Sequence, residues 1–311
     1  MPDRTAPSRR NLLMTATGLT AAAVLPTAVR AADEKPTPDG KSQVAVNGKI
    51  NHSVCLWCYK GMSSNDTAPV AKRLGLKAID LLKPDQWGPL KENGLICSMT
   101  SHPDIRIEVG LNRKANHEKI LNALRECIEA NAAAGYPNVI CFSGNRHLPR
   151  KGKEAPLEQM VTDADGIKVC AEGLKQVMSL AEQKKVTICM ELLTSKVNHP
   201  DYMCDHSDWG VELVKAVGSE RFKLLYDIYH MQIMEGDVIA TIKKQHEYFG
   251  HYHTGGVPGR HEIDDTQELN WPAIMKAIVA TGFKGYVAQE FIPAKKDMIA
   301  SLAAAVQVCD V

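Results

Sequence analysis

The chain has 311 residues, of which 44% are hydrophobic and 23% charged, a composition typical of globular proteins. This length suits one large α/β domain. Its 37 Lys and Arg residues nearly balance 36 Asp and Glu residues, which leaves a net charge of +1. Such a balance provides no overall positive field for nucleic acid or for an anionic membrane, so we expect neither as a partner.

Residues 1–32 have the pattern of a Tat-type signal peptide. The pair Arg9-Arg10 precedes an apolar stretch and small residues near Ala31. The stretch is shorter than the roughly 20 apolar residues of a membrane span, so we expect periplasmic or other export, without stable membrane insertion after cleavage. An uncleaved amphiphilic tail is the alternative. Residues 33–49 are predicted to be a flexible leader into a catalytic domain at residues 50–311.

From residue 50 onward, short β-type runs alternate with helical patterns. Several of the runs are apolar without alternation, as in strands buried on both faces. The predicted strands are Ser53–Leu56, Ala78–Leu81, Leu95–Met99, Val139–Phe142, Thr187–Glu191, Lys223–Asp227, Tyr248–Tyr252 and Gly285–Glu290. The clearest helical patterns, with apolar residues three and four apart, are His117–Gly135, Asp163–Lys185 and Trp271–Thr281.

Eight strands alternating with helices predict the α/β class and a (β/α)8 TIM barrel in a single domain. An open doubly wound sheet is the structural alternative. It loses support because no glycine-rich nucleotide-binding motif follows any predicted strand.

The sequence contains nine cysteines, an odd number that cannot all form disulfides. Cys97, Cys141 and Cys189 lie in apolar runs and are expected to be buried as small hydrophobic side chains. Cys55 and Cys58 form a CxxC pair, but no second pair lies at zinc-ribbon spacing. A redox or zinc role for this pair is therefore a minor alternative.

Four consecutive predicted strands end in a carboxylate or an imidazole, or are directly followed by one: Glu191, Asp227, His253 and Glu290. The carboxyl ends of barrel strands meet at one rim, where these enzymes place their chemistry. Three carboxylates crowded together at the ends of apolar runs repel each other unless a cation lies between them. The pattern therefore predicts one divalent metal ion. Oxygen-rich ligands favour Mn²⁺, Mg²⁺ or Co²⁺, with Zn²⁺ as an alternative.

Further polar side chains fall in loops at the same predicted rim. His230, Arg260, His102 and Asn145 are the candidate substrate-binding residues. The guanidinium group of Arg260 offers a planar fork suited to a carboxylate, so this residue favours an acidic substrate over a neutral sugar.

Six segments together resemble the hydroxypyruvate isomerase family, within the wider xylose isomerase-like and ketose 3-epimerase barrels. They are 110–113 (GLNR), 137–146 (PNVICFSGNR), 190–196 (MELLTSK), 226–232 (YDIYHMQ), 253–260 (HTGGVPGR) and 289–291 (QEF). The resemblance covers about residues 51–293. It implies that Glu191, Asp227, His253 and Glu290 bind the metal and that the two glutamates transfer protons. It also implies that His230 contacts substrate oxygens.

The resulting hypothesis is a metal-dependent isomerase that converts hydroxypyruvate to tartronate semialdehyde through an enediolate. Glu191 and Glu290 are the catalytic candidates, and which of them acts first is left open. A ketose epimerase or sugar isomerase of the same fold is one alternative. A non-catalytic, exported protein that binds sugars or acids is the other. The expected partner is a small hydroxy-carbonyl substrate, and homo-oligomer formation is left open.

Overall fold

The computed structural model of the chain describes residues 38–147 and 160–311, so the expected signal peptide lies outside the described residues. Thr37–Val311 form one compact unit. Its parallel strands are β1 (Asn51–Val54), β2 (Ala78–Leu82), β3 (Ile96–Thr100), β4 (Asn138–Cys141), β5 (Thr187–Glu191), β6 (Phe222–Asp227), β7 (Phe249–Thr254) and β8 (Tyr286–Gln289). The eight strands confirm the predicted TIM barrel.

Helices lie between the strands and cover the outside of the barrel. They are α1 (Ser64–Leu74), α2 (Gly88–Glu92), α3 (His117–Ala134), α4 (Asp163–Lys184), α5 (Ser207–Val217), α6 (Ile228–Met234), α7 (Val238–Gln245), α8 (Trp271–Ala280) and α9 (Met298–Cys309). Across the two described ranges, no helix is both long and apolar enough to cross a membrane.

The strands follow the order β1-β8-β7-β6-β5-β4-β3-β2. The barrel closes between β1 and β2, where the Lys77 amide donates to the His52 carbonyl oxygen over 2.8 Å and Cys55 forms a bridge with Asp80. Because all the strands are parallel, their carboxyl ends open on one rim.

The helices form where the sequence supplies both an apolar face and end signals. In α3, Ile120, Leu121 and Leu124 are buried, and the helix ends at Gly135, whose φ of 74° is favourable for glycine. Helix α4 begins at Thr162, whose hydroxyl accepts a hydrogen bond from the Asp165 amide. Helix α3 packs against β4, and α4 packs against β5.

Two strand boundaries differ from the prediction in ways that affect the rim. Strand β1 ends at Val54, and Leu56 instead begins a short 3-10 turn. Strand β7 continues past Tyr252 to Thr254 because Thr254 still pairs with Gln289 of β8. His253 therefore lies inside a strand, where its backbone is held on both sides.

Residues 38–49 differ from the flexible leader expected there, because hydrogen bonds hold them against the barrel. The amides of Val44 and Ala45 both donate to the carbonyl oxygen of Leu74 at the end of α1, over 3.1 Å. The amides of Val46 and Asn47 donate to the Asp310 carboxylate over 2.7 and 2.9 Å. The segment thus joins the first helix to the C-terminal end of the chain.

All nine cysteines are buried and free. Cys97, Cys141 and Cys189 lie in β3, β4 and β5, as expected for small hydrophobic side chains. Burial raises the pKa of Cys97 to about 12, so its thiol is neutral and unreactive at physiological pH.

The loops after β3 and β4 cross at Gly110 and Gly144, where an added Cβ at Gly110 would overlap the backbone of Gly144 and Ser143. We expect Gly110→Ala to lower the free energy of unfolding by about 3 kcal/mol, because backbone atoms cannot rotate away as a side chain can. Denaturant titration would measure the change. The control Gly88→Ala meets no atom within 4 Å and should stay near the wild-type value. Equal stability of the two variants would contradict the expected clash.

Candidate active site

The structure brings the four predicted ligand residues together at the rim. Glu191 ends β5, Asp227 ends β6, His253 lies in β7 and Glu290 directly follows β8. Each contributes one ligand-type atom to a group in which all four atoms lie within 4.8 Å of one another. All four residues are buried. This is the spacing that a single cation could bridge.

Asp227 also organises the chain that follows it. Its carboxylate accepts a hydrogen bond from the His230 amide over 3.1 Å and so caps the start of α6. One residue therefore ends a strand, begins a helix and points an oxygen at the ligand group. This places His230 one helical turn away, over the same rim.

The buried carboxylates have too few positively charged neighbours to keep all three of them ionised. Burial raises the pKa of Glu191, although its hydrogen bond with His253 opposes the shift. Burial raises the pKa of Asp227 to about 7, although Arg260 opposes that shift. Burial would also raise the pKa of Glu290, but Arg260 and His253 hold it well below its ordinary value. An added cation would favour the ionised form of all three carboxylates.

Arg260 is the fixed cation of the site. Its Nη2 donates to Asp227 Oδ2 over 2.8 Å and to Glu290 Oε2 over 2.5 Å, and its Nε donates to the Glu290 carbonyl oxygen over 3.0 Å. Its backbone lies in the left-handed region with a φ of 59°, a strained conformation of the kind found at functional sites. With His253 neutral, as a metal ligand would be, three carboxylates and one guanidinium leave two negative charges, which one divalent cation would neutralise.

His230 supplies a neutral hydrogen-bond donor. Burial, and then the charge of Arg260, hold the pKa of His230 well below its usual value. Its Nε2 lies 2.5 Å from Arg260 Nη1 and must accept, because a guanidinium only donates. The proton therefore resides on Nδ1, which is buried and has no hydrogen-bond partner among the described residues. His230 lines the rim cavity, which places its ring beside a ligand bound there.

Asp80 is a site residue that the sequence analysis missed. It is fully buried on β2 and accepts hydrogen bonds from His251 Nε2 over 2.8 Å and from His253 Nε2 over 3.0 Å. Burial would raise the pKa of Asp80, but the two histidines hold it below its ordinary range. Because Nε2 of His253 donates to Asp80, Nδ1 is the nitrogen that faces Glu191 and Glu290, and its lone pair is the one that would be offered to a cation bound among them. An aspartate within the apolar run Ala78–Leu82 was the available signal.

Trp57 is a second residue that the sequence analysis missed. It lies in the 3-10 turn after β1, and its Nε1 donates to Glu290 Oε1 over 2.7 Å. The Arg260 guanidinium carbon lies 5.6 Å from the centre of its ring. The indole is 49% exposed, so it forms part of the outer wall of the site. An exposed aromatic side chain directly after a strand was the available signal.

His102 and Asn145 are not placed with the other predicted substrate-binding residues. His102 Nε2 lies 3.4 Å from a carboxylate oxygen of Glu126 on α3, and its Nδ1 accepts from the Asp104 amide. The main-chain oxygen of Asn145 accepts from the side chains of Asn112 and Arg113. Neither residue is among those that line the rim cavity. Both residues stabilise loops instead. The contacts of Asn145 hold the segment after β4 to the segment after β3.

A cavity of about 490 Å³ opens above the ligand group. Glu191, His230, Arg260 and Glu290 line it, together with Trp57. The site therefore combines paired carboxylates, a neutral donor and an accessible space, which is what proton transfer on a small bound molecule requires.

The chain belongs to the xylose isomerase-like TIM barrel family, whose model matches residues 71–307. It is 34% identical over 122 residues to the 2-oxo-tetronate isomerase of Cupriavidus necator, covering 39% of this chain and 46% of that protein. That match therefore spans less than half of the relative's length. Hydroxypyruvate isomerase of Escherichia coli is 26% identical over 192 residues, covering 56% of this chain and 74% of that protein.

Among solved structures, the chain is similar to an AP endonuclease, family 2, from Brucella melitensis. The TM-score is 0.69 at 20% identity, over 82% of this chain and 97% of that chain. At this level of identity the likeness shows the shared barrel fold alone.

Proposed function

We propose that this protein is a metal-dependent isomerase of a small hydroxy-carbonyl compound, with hydroxypyruvate as the first substrate to test. The observation that carries the proposal is the convergence of Glu191 and Glu290 with Asp227 and His253 beneath an accessible cavity. The unpartnered Nδ1 of His230 adds a donor for a substrate oxygen. The names of the two isomerase relatives support the same class of reaction.

The donor set fits a divalent cation. Three carboxylates and one imidazole favour Mn²⁺, Mg²⁺ or Co²⁺, with Zn²⁺ as an alternative. Bound there, the ion would act as a Lewis acid that stabilises negative charge on substrate oxygens. Asp80 would hold His253 in the tautomer that this requires.

In the proposed reaction, one of the two glutamates removes the proton from C3 of hydroxypyruvate, and the electron pair forms the C2–C3 double bond of an enediolate. The other glutamate, which starts the cycle protonated, returns a proton to C2, while the proton of the C3 hydroxyl passes to the C2 oxygen and C3 becomes the aldehyde carbon. Proton exchange with solvent then restores both glutamates. Glu191 and Glu290 stand on β5 and β8, with β6 and β7 between them, so they approach the substrate from different sides. His230 donates from Nδ1 to a substrate oxygen.

Deuterium incorporation tests the proposal. The Mn²⁺-loaded protein is incubated in D₂O with hydroxypyruvate and with a panel of ketoses, and proton exchange is followed by NMR, with a chelator as control. We expect deuterium at C2 of tartronate semialdehyde, and loss of exchange with the chelator. Exchange of ketoses alone would favour the epimerase or sugar isomerase alternative. Binding without exchange of any compound would favour the non-catalytic alternative.

Arg260 cannot separate an acidic substrate from a neutral sugar in the way the sequence suggested. This side chain pairs with Asp227 and Glu290 whatever the substrate is, so its loss would be harmful with an acidic substrate and with a neutral one. We expect Arg260→Met to lower the free energy of unfolding of the metal-free protein by about 3 kcal/mol, because buried carboxylates lose their partner. Added Mn²⁺ should restore part of this loss, and Arg260→Lys should lose less. An unchanged denaturation midpoint for Arg260→Met would contradict the assigned role.

A further inference from the structure

The rim cavity has two chemically different sides. Strands β5 to β8 and their loops supply the polar groups Glu191, His230, Arg260 and Glu290, beside the apolar side chains of Leu193 and Ile292. The segments of β2 to β4 supply hydrocarbon instead. Leu81, Ile105, Ile107, Ile140 and Phe142 line this second side, which is called the apolar wall below.

Backbone polar groups along the apolar wall already have partners. The Leu81 carbonyl oxygen accepts from the Ser101 hydroxyl over 2.9 Å, which also occupies the donor of that serine. The Phe142 carbonyl oxygen accepts from the Leu111 amide, and the Ile105 amide donates to His102. A substrate hydroxyl facing these hydrocarbon side chains would lose its hydrogen bonds to water without replacement, which is unfavourable for a buried polar group. The Ser101 oxygen, which can still accept, is the one polar side-chain atom that the described lining residues offer on this side.

The cavity is also larger than a three-carbon acid requires. Its volume of about 490 Å³ corresponds to on the order of sixteen water molecules at about 30 Å³ each. If the carbonyl and hydroxyl oxygens of a substrate lie beside Glu191 and Glu290, the remaining space extends toward the apolar wall. A polyhydroxylated chain is a poor match for that surface, whereas a hydrocarbon group matches it.

Building on the proposed function, we propose that the natural substrate is a hydroxy-carbonyl compound that carries an apolar substituent, alkyl or aryl, which packs against the apolar wall. The charged side fixes the reacting oxygens, and the hydrocarbon side selects the substituent. Burial of a phenyl group there is expected to tighten binding on the order of 10- to 100-fold.

Calorimetry with three probes tests this inference on the Mn²⁺-loaded protein. Hydroxyacetone is compared with its benzyl-substituted analogue, hydroxymethyl phenethyl ketone, and with D-fructose, which has the same number of non-hydrogen atoms as the analogue. We expect the phenethyl ketone to bind on the order of 10- to 100-fold more tightly than hydroxyacetone, with a more negative heat capacity change. The affinity for D-fructose should not exceed that for hydroxyacetone by a comparable factor. Equal affinities for the phenethyl ketone and either of the other probes would overturn the inference.

Two isoleucine variants locate the effect. Ile107 on the apolar wall and Ile239 on α7 are both half-buried. Ile107→Asn should remove most of the gain for the phenethyl ketone while binding of hydroxyacetone stays close to wild type. Ile239→Asn should still bind the phenethyl ketone more tightly than hydroxyacetone by about the wild-type factor. A gain that survives in Ile107→Asn would place the substituent elsewhere and overturn the inference.

Following α-proton exchange in D₂O in the same samples separates this inference from the proposed function. Tighter binding of the phenethyl ketone without exchange of any probe or of hydroxypyruvate would support the apolar subsite and overturn the isomerase proposal. Exchange of hydroxypyruvate or hydroxyacetone with no gain for the phenethyl ketone would overturn the apolar subsite and leave the isomerase proposal standing.

Discussion

Replacing Glu290 with glutamine should lower turnover on the order of 100- to 10,000-fold while the protein remains folded. Glutamine keeps the shape of the side chain and can still accept from Trp57 Nε1, which lies 2.7 Å from Glu290 Oε1. It cannot take up a proton from carbon, and loss of a positioned base or acid typically has an effect of this size. Turnover is measured at saturating Mn²⁺, so that weaker metal binding is not mistaken for lost chemistry.

The control for this variant is Glu235→Gln. Glu235 is partly buried and accepts from the amide and hydroxyl of Ser207, at the start of α5, away from the residues that line the rim cavity. It should retain turnover within a few-fold. Near-normal turnover of Glu290→Gln would contradict the catalytic assignment. Exchange of the substrate proton without product formation would identify Glu290 as the group that returns the proton.

Replacing Asp80 with asparagine should weaken Mn²⁺ binding by roughly 10- to 100-fold, although Asp80 itself is not among the four predicted ligands. The carboxylate holds the Nε2 protons of His251 and His253 and also accepts from Ser53 Oγ over 3.1 Å. Asparagine removes the negative charge that favours this arrangement. The ring of His253 is then held less tightly with its Nδ1 facing the other candidate ligands, and His253 becomes less basic. Calorimetric titration with Mn²⁺ measures the loss.

Asp85→Asn is the matched control, because Asp85 is an exposed aspartate in the turn that follows β2. It should bind Mn²⁺ with wild-type affinity. A melting temperature recorded for each metal-free variant separates a folding defect from a weakened site. Wild-type Mn²⁺ affinity in Asp80→Asn would show that the tautomer of His253 is set without Asp80.

Much of the site could be predicted because its residues close apolar strands. Glu191, Asp227 and Glu290 stand where hydrophobic runs stop, and an ionised group in that position is costly unless a partner or a cation meets it. The barrel topology then brings neighbouring strand ends to one rim. The positions of these residues along the chain therefore predict which side chains lie close together in the structure.

The residues that the structure places differently from expectation are ones whose surroundings depend on loops. His102 and Asn145 follow strands β3 and β4, as a rim residue should, yet His102 faces Glu126 and Asn145 is engaged through its backbone. The direction of a side chain after a strand depends on how the loop turns, and no local sequence pattern determines this. The contacts of segment 38–49 could not be predicted from the local sequence either, since its partners Leu74 and Asp310 are distant along the chain.

The sequence by itself determined the alternation of strands and helices, and with it the barrel and the four convergent candidate ligand residues, because hydrophobic periodicity and the order of the strands along the chain can be read locally. Only the tertiary structure decided what surrounds those ligands. Asp80 beside His253, Arg260 between Asp227 and Glu290, and the apolar wall are formed by residues that are distant along the chain. Their energetics depend on burial and distance, which exist only once the barrel has closed.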